Sequence, residues 1–597
     1  MKKFRRKVLD MLMSNNSGSS LRQQLLDGAP FRSSLLYTAI PQRAASGTTG
    51  TFTRATTSTW PNNDGYMVTG VAGEIGFVGA RRVRNLVTKS EDLTSGWAAN
   101  NAGSVTATTI TFTAASNDGW NVTGLTVEAG RTYLWSALMS ATSGTKNVRF
   151  RCGGGALSSN IGLTTTPTRV SAVFTAVTAG ATNGIYNESG GGAATVNCTE
   201  MQLEDITGRT DQTTPSEYVS VGVESAPYYH GSFVDGVKCY STDINGAAIP
   251  SSTLLGYQAE GARTNLCLQS QTIATAPWQI GNGIAVTADQ YVAPDGTTTM
   301  DKLTAIAGNT QHFWYQELTT TAAVHTYSVY LRYVNNQWAR IGVYDGVGSF
   351  YAAFDILNGV VGSTLGAVTA TAIEPMGDGV TWRVSLTATL AANALSQVYL
   401  SVVNADDPSF GLWNAVGTEA IGAWGAQVEL GSFASSYIPT TTIAVTRNAD
   451  VLTYSSAGNI DGTKGWCYAE VNGSNVSYLS TDGAYYVTSD TSSDSPILYN
   501  VPVPPGKLST FDGTSIINGD AITANIKGCV SWGGTSRSIS VNGGTPVSGA
   551  FDGAIITGSS IGIGHKVGGI TSAYANIGPI YIGQRQLSAS ELQAITS

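Results

Sequence analysis

An internal duplication constrains this chain more than any other feature. One copy opens with RRVRNLVTKSEDLTSGW (Arg81 to Trp97) and closes with NCTEMQLEDITG and TPSEYV (Asn197 to Val219). The other opens with GARTNLCLQSQTIATAPW (Gly261 to Trp278) and closes with GAWGAQVELGSFASSYIPT (Gly422 to Thr440). In each, an Arg and an Asn-Leu pair precede a Trp, and a Gln-Leu-Glu or Gln-Val-Glu strand precedes a Ser-x-Tyr strand. Between these ends, runs such as RTYLWSALM (Arg131 to Met139) and TYSVYLRYV (Thr326 to Val334) alternate with the two-residue period of a strand. Gly-rich turns separate the runs, so each copy is expected to be a β-sandwich of jelly-roll type whose opening and closing strands pair.

The rest of the chain follows the same language. A third unit from about residue 456 contains SISV and PVSG flanking Asn542-Gly543-Gly544, a strong hairpin signal. Helical signal is confined to the ends. LRQQLL runs up to Gly28 and Pro30 as a stop, and LSASELQAIT places Ser588 three residues before Glu591, the spacing of a capping box. The expected fold class is therefore all-β: tandem β-sandwiches with a short N-terminal helical segment. The expected segments are 1–50, 51–225, 226–455 and 456–597.

Charge narrows the partners. Only 12% of the 597 residues are charged, and the net charge is −8. Residues 1–100 carry 13 Lys and Arg against 6 Asp and Glu, and the remainder 19 against 34. An acidic body lacks the basic footprint that phosphate binding requires, so no nucleic-acid partner is expected. The six cysteines are far apart with no CxxC spacing, which reads as buried free thiols. The basic start MKKFRRKVLD lacks the long apolar run and the cleavage site of a signal peptide, and no run of about 18 apolar residues predicts a membrane span.

Several segments carry a family resemblance: TFTRAT (Thr51 to Thr56), the two Asn-Leu…Trp openings, PDGTTTMDKL (Pro294 to Leu303), GDGVTWRVS (Gly377 to Ser385), GAWGAQVE and TRNADVL (Thr446 to Leu452). They resemble tailed-bacteriophage virion fibre or spike proteins with tandem carbohydrate-binding-module-like jelly rolls. The last unit is similar to their concanavalin A-like lectin or laminin-G-like domains through CVSWGGTSRSISVNGG (Cys529 to Gly544) and IGPIYIGQRQLSASEL (Ile577 to Leu592). The first copy departs from this pattern, without the PDGT segment and the WRVS strand. The resemblance implies a homotrimeric virion tail-fibre or head-fibre protein, made in the host cytoplasm without a signal peptide. Its N-terminus would anchor it to other virion proteins, and its outer domains would bind host surface polysaccharide or lipopolysaccharide. A purely structural capsid or tail decoration protein and a polysaccharide depolymerase are the alternatives.

No catalytic constellation accompanies these sandwiches. The Glu-x-Asp-x-x-Glu strand of laminarinase-like lectin folds is missing, and the adjacent pairs Glu91-Asp92 and Asp406-Asp407 would point to opposite strand faces. GSSIG (Gly558 to Gly562) mimics a nucleophile elbow, yet its flanks read as strands with no following helix. Four histidines (His230, His312, His325, His565) lack zinc-ligand spacing, and SDTSSDS (Ser489 to Ser495) lacks the Gly and Glu of a calcium loop, so no metal and no cofactor are expected. A non-enzymatic binding protein is the reading. Sugar binding needs an exposed ring to stack on a pyranose face, with polar groups for its hydroxyls. The candidates are Trp314, Tyr315, Trp338 and Tyr344, with Tyr351 near them, and Tyr485, Tyr486, Trp532 and Asn542 in the last unit. Adjacent aromatics in a strand cannot both face the core, so one of each pair should be exposed. Trp97, Trp278, Trp382 and Trp424 recur in framework positions and are assigned to cores.

Overall fold

The computed structural model describes residues 20–597 except 45–49, 102, 114–117, 156, 224–230, 473–483, 490–495, 502–505, 523–524, 556–557 and 567–572. Its described residues are all-β apart from two short helices, Leu21–Gly28 and Ala589–Thr596. The chain forms two compact units that interleave along the sequence. One comprises residues 55–254 and 262–448, the other 1–54, 255–261 and 449–597.

The first of these units contains both copies of the duplication. In the N-terminal copy, one sheet orders the strands Ile161–Leu163, Lys146–Arg151, Gly184–Asn187, Gly119–Val122 and Trp97–Ala99. The other orders Thr168–Thr175, Thr132–Ala141, Ala194–Asp205, Thr109–Phe112 and Ser104–Val105. Their inner faces share one core, in which Trp135 stacks on Phe150 with ring centroids 5.7 Å apart. In the second copy, Gln279–Asn282, Phe313–Thr320, Asn393–Val403, Trp338–Tyr344, Ser349–Asp355 and Val360–Leu365 form one sheet in that order. The opposing sheet runs Ile284–Tyr291, Met300–Ala305, Ala420–Leu430, Ala323–Tyr333, Thr381–Leu390 and Val368–Pro375. Trp97, Trp278 and Trp424 are buried, and Trp382 packs half-buried against the second core.

The first copy does have a counterpart of the WRVS strand expected to be missing from it. Thr168–Thr175 (TRVSAVFT) pairs with Thr132–Ala141 as Thr381–Leu390 (TWRVSLTATL) pairs with Ala323–Tyr333. Arg169 donates to the Ser136 hydroxyl at 2.9 Å, and Arg383 to that of Ser328 at 3.1 Å. Loss of the tryptophan in the first copy hides the match.

The duplicated residues form the same buried polar latch twice. Asn265 donates from Nδ2 to the carbonyls of Ala426 (3.0 Å) and Ile438 (2.8 Å), and its Oδ1 accepts from the amides of Cys267 and Val428. Asn85 donates to the carbonyls of Met201 and Val219 and accepts from the amides of Val87 and Leu203. Ser90 and Tyr218 share a 2.6 Å hydroxyl contact, as do Ser270 and Tyr437. Gln202 accepts from the Val219 amide, and Gln427 from that of Ile438. These side chains replace ladder bonds where the Ser-x-Tyr segment is not a regular strand, so buried backbone groups stay satisfied. The conserved spacing in the sequence is therefore a record of chain closure: opening segment, closing strand and Ser-x-Tyr segment are held together. Short strand pairs complete the closure, Arg81–Arg84 with Val237–Tyr240 and Arg263–Asn265 with Val445–Arg447.

The second unit is the third sandwich. One sheet orders Val547–Ala550, Ser536–Val541, Asn525–Gly533, Gly465–Asn472, Ala575–Gly583 and Gly256–Ala259. Facing it are Thr51–Thr53, Val451–Ser455, Ser560–Ile563, Ala484–Thr488, Pro496–Val501, Lys507–Phe511 and Ile516–Ala521. The hairpin turn predicted at Asn542-Gly543 is present, with φ of +47° and +75°. GSSIG runs into the strand Ser560–Ile563, paired with Val451–Ser455, as the flank after it suggested, whereas Ala554 and Ile555 of the flank before it are not strand.

The front of the chain belongs to this sandwich. Phe31–Ser33 pairs with Ile580–Ile582, and Thr51–Thr53 with Val451–Thr453. Leu25, Leu26 and Ala29 share a core with Leu592 and Ile595 of the terminal helix. Arg22 donates to the Ile595 carbonyl, the Tyr468 hydroxyl and the Glu470 carboxylate at 2.8–3.0 Å. Arg54 of TFTRAT forms a fully buried 2.8 Å ion pair with Asp450 of TRNADVL. The helix expected as a separate anchor is thus integrated into the fold, and the basic residues before Ser20 lie outside the described residues. Ser588 and Glu591 complete the capping box of the terminal helix. All six cysteines are buried free thiols.

Candidate functional site

Strand alternation sends one set of side chains of each sheet into the core and the other outward. On the sheet containing Trp338–Tyr344, the inward set is apolar, including Ile341, Val343, Val398 and Leu400 with Trp314, Phe350 and Phe354. The outward set is aromatic and polar, and the register organises it into rows. One row is Tyr315, Tyr399, Gly342 and Tyr351, each directly opposite the next. A second is Phe313, Ser401, Arg340 and Ala353; a third is Glu317, Gln397, Tyr344 and Ser349. Neighbouring strands are about 4.8 Å apart, so four of them carry each row across about 15 Å.

The aromatic row is continuous because Gly342 has no side chain. A Cβ there would stand 1.8 Å from the Tyr351 ring, which instead lies across the gap and meets Tyr399 at 5.8 Å between centroids. Tyr399 stacks on Tyr315 at 6.0 Å and 29°, and Phe313 meets Tyr399 edge-on at 5.5 Å. Phe410, from the loop after Val403, packs on Phe313, Tyr351 and Tyr399. Arg340 lies beneath this loop with its guanidinium 4.0 Å from the Phe410 ring. It donates to the Ser409 carbonyl and the Ser401 hydroxyl, and no carboxylate pairs with it among the described residues. Burial pulls its pKa down to about 10, still well above neutrality, so the ring cluster surrounds a cation.

Tyr315 is half-buried and Tyr344 is 37% exposed, so both present ring surface outward. Around Tyr315 stand polar groups suited to hydroxyls. Its own hydroxyl donates to Gln279 at 3.2 Å, and Gln397 donates to Glu317 at 3.0 Å. Trp338 is half-buried on the same outward face, six residues and about 20 Å from Tyr344 along the strand, beside Gly362 and Asp406. The face thus offers stacking surfaces spaced along a strip, with amide, carboxylate and hydroxyl groups between them.

The structure divides the sequence candidates. Tyr315, Trp338 and Tyr344 share this face. Trp314 does not: it points inward, is 7% exposed, and donates to the Ile273 carbonyl at 2.8 Å. Tyr486 and Trp532 are fully buried core residues, and the Trp532 indole donates to the Asp461 carbonyl. Tyr485 is half-buried, stacked on Tyr499 at 5.9 Å. Asn542 is exposed, but its side chain is occupied in the turn, accepting from the Lys527 amide and donating to the Asn525 carbonyl. One ring of each adjacent pair therefore faces the core, as alternation requires. Sequence reasoning missed Tyr399, Phe313, Phe410 and Arg340. The alternation of Phe313 and Tyr315 around Trp314 was a usable signal that Phe313 shares the face of Tyr315; the cross-strand meeting with Tyr399 was not visible. On the corresponding sheet of the first copy, Trp97, Trp120 and Phe150 pack on the core, and among the described residues the one other ring is Tyr186, buried with Arg151 5.7 Å above it.

No protein-family model matches the chain, and no curated protein sequence matches it. Among solved structures, it is similar to the N-terminal CBM22-1-CBM22-2 tandem domain of Paenibacillus barcinonensis Xyn10C, at 11% identity and a TM-score of 0.19, covering 59% of this chain and 98% of that one. It is similar to the mouse laminin alpha1 chain, domains LG4-5, at 10% identity and a TM-score of 0.16, covering 48% and 88%. A third likeness is to Trypanosoma rangeli sialidase in complex with the inhibitor DANA, at 10% identity and a TM-score of 0.19, covering 53% and 62%.

Proposed function

We propose that this chain is a non-enzymatic attachment protein that binds a cell-surface glycan through the outward face of the second sandwich. The observation that carries the reading is that Tyr315 and Tyr344 present ring surface beside Glu317 and Gln397, backed by the buried rings of Tyr399 and Tyr351. Rings that present flat apolar surface next to hydrogen-bonding side chains are what a pyranose requires, since its faces are apolar and its edge is hydroxylated. Single contacts of this kind are weak. A fibre or spike carrying several copies multiplies them through effective concentration, which suits the virion fibre reading taken from the sequence resemblance. In that setting the glycan is host polysaccharide or lipopolysaccharide, and the basic N-terminal residues are the candidate contact with other virion proteins.

The test is binding of labelled, purified protein to host cells with and without surface polysaccharide. Binding that vanishes with the polysaccharide, and that Tyr315→Ala weakens by tenfold or more, is expected. A folded protein that binds neither cell type would instead favour a structural decoration role, and release of sugar from the polysaccharide would favour a depolymerase.

A further inference from the structure

A second site lies away from the aromatic face, in the unit that holds both copies of the duplication. A cleft of about 590 Å³ opens where the strand Arg81–Arg84 and the turn after Pro61 meet the loop from Gly124 and the end of the strand Ala194–Asp205. That volume is in the range of small-molecule sites. Arginines line it, and nearly all are answered by carboxylates. Arg81 pairs with Glu217 at 2.7 Å, Arg82 with Glu74 at 2.6 Å, Arg131 with Glu128 at 2.7 Å and Arg209 with Glu204 at 3.4 Å. Arg84 is the exception: it pairs with Val237 through its backbone, but among the described residues its guanidinium has neither a hydrogen bond nor an ion pair. Burial and the neighbouring Arg82 charge lower its pKa against the opposing pull of Glu74, Asp205 and Glu128, none of which bonds it.

We propose that Arg84 is the anchor of a binding site for a carboxylate-bearing saccharide. A free guanidinium fork in a cleft matches a carboxylate with two parallel N–H···O bonds. The surroundings select the rest of the ligand. Asn62, Asp64 and Thr126 line the cleft with groups that exchange hydrogen bonds with hydroxyls, and Met67 and Leu125 supply apolar wall. Asp205 and Glu128 stand close enough to act on the Arg84 charge, so a single negative charge is accommodated better than a phosphate dianion. The site has no counterpart in the second copy, where the position of Arg84 is taken by Thr264, whose hydroxyl bonds Thr446 at 2.8 Å.

Calorimetric titration of the full chain with tri-galacturonate and with galactotriose tests this. The acidic trimer is expected to bind and the neutral one not. Arg84→Ala should lose tenfold or more in affinity, and Arg84→Lys, which keeps the charge but not the fork, should fall between them. Circular dichroism melting of each variant checks folding, and Tyr315→Ala, at the other face, should leave this affinity unchanged. Equal binding of the trimer by Arg84→Ala, no binding by the folded wild type, or binding of inorganic phosphate as tight as that of the trimer would each overturn the assignment. Because Tyr315→Ala and Arg84→Ala address different faces, failure here is distinguishable from failure of the aromatic-face reading.

Discussion

Asn265→Ala is expected to loosen the second sandwich far more than its small volume change suggests. Asn265 is fully buried and makes four hydrogen bonds, each to a backbone group: the carbonyls of Ala426 and Ile438 and the amides of Cys267 and Val428. Alanine strands all four in the buried interior. A buried polar group left without a partner costs about 1–3 kcal/mol, so even the low end gives about 4 kcal/mol. Domains are stable by about 5–15 kcal/mol, so a loss of about 4 kcal/mol leaves the variant folded with about 1–11 kcal/mol. Hydrogen–deuterium exchange resolves this by peptide. Amides of the closing strand Ala420–Leu430 should exchange about a thousandfold faster, at about 1.4 kcal/mol per decade. Peptides of the first copy should be unaffected, and Asn85→Ala should reverse the pattern. A change under tenfold in the closing strand would refute the claim that this residue, and not the ladder alone, closes the sandwich.

Three further outcomes follow from the same geometry. The Glu591 carboxyl, held by Arg585 and by the Ser588 amide and hydroxyl, has its pKa depressed to about 2 from 4.5. Its contribution to docking the terminal helix is therefore complete above about pH 4.5 and lost as pH falls toward 2; Glu591→Gln should flatten the stability profile in that window, read by circular dichroism melts. Burial pushes the Cys152 and Cys239 thiols up to about 12, so Ellman's reagent at pH 8 should label essentially none of the six cysteines until denaturant is added. Removing residues 1–54 deletes the strands Phe31–Ser33 and Thr51–Thr53 and the Arg54–Asp450 pair, and should unfold the third sandwich as well as alter any attachment role; breaking a buried ion pair alone costs about 3–5 kcal/mol.

The fold was legible where it rests on local pattern. Two-residue alternation and Gly-rich turns identify the sandwiches, the Asn542-Gly543 turn marks its hairpin, and Ser588 with Glu591 marks the terminal helix, because each signal is carried within a few residues of chain. What depends on distant pairing was not legible. Nothing local in FRS (Phe31 to Ser33) says that it joins a strand near residue 580, so the front of the chain reads as a separate segment. The candidate site shows the same division. Alternation places one ring of Trp314-Tyr315 and one of Tyr485-Tyr486 in the core, but not which one. In Phe313–Thr320 the core takes Trp314, and in Ala484–Thr488 it takes Tyr486. The meeting of Tyr315, Tyr399 and Tyr351 is a property of sheet register, with the residues up to 84 positions apart.

The central claim is that the outward face of the second sandwich recognises glycan. Its most direct test is the affinity of purified host polysaccharide for wild type and for Tyr315→Ala/Tyr344→Ala, measured by tyrosine and tryptophan fluorescence titration with Tyr485→Ala as the comparison. The account predicts saturable binding that the double variant loses by at least tenfold and that Tyr485→Ala retains. Wild-type affinity in a correctly folded double variant would contradict it.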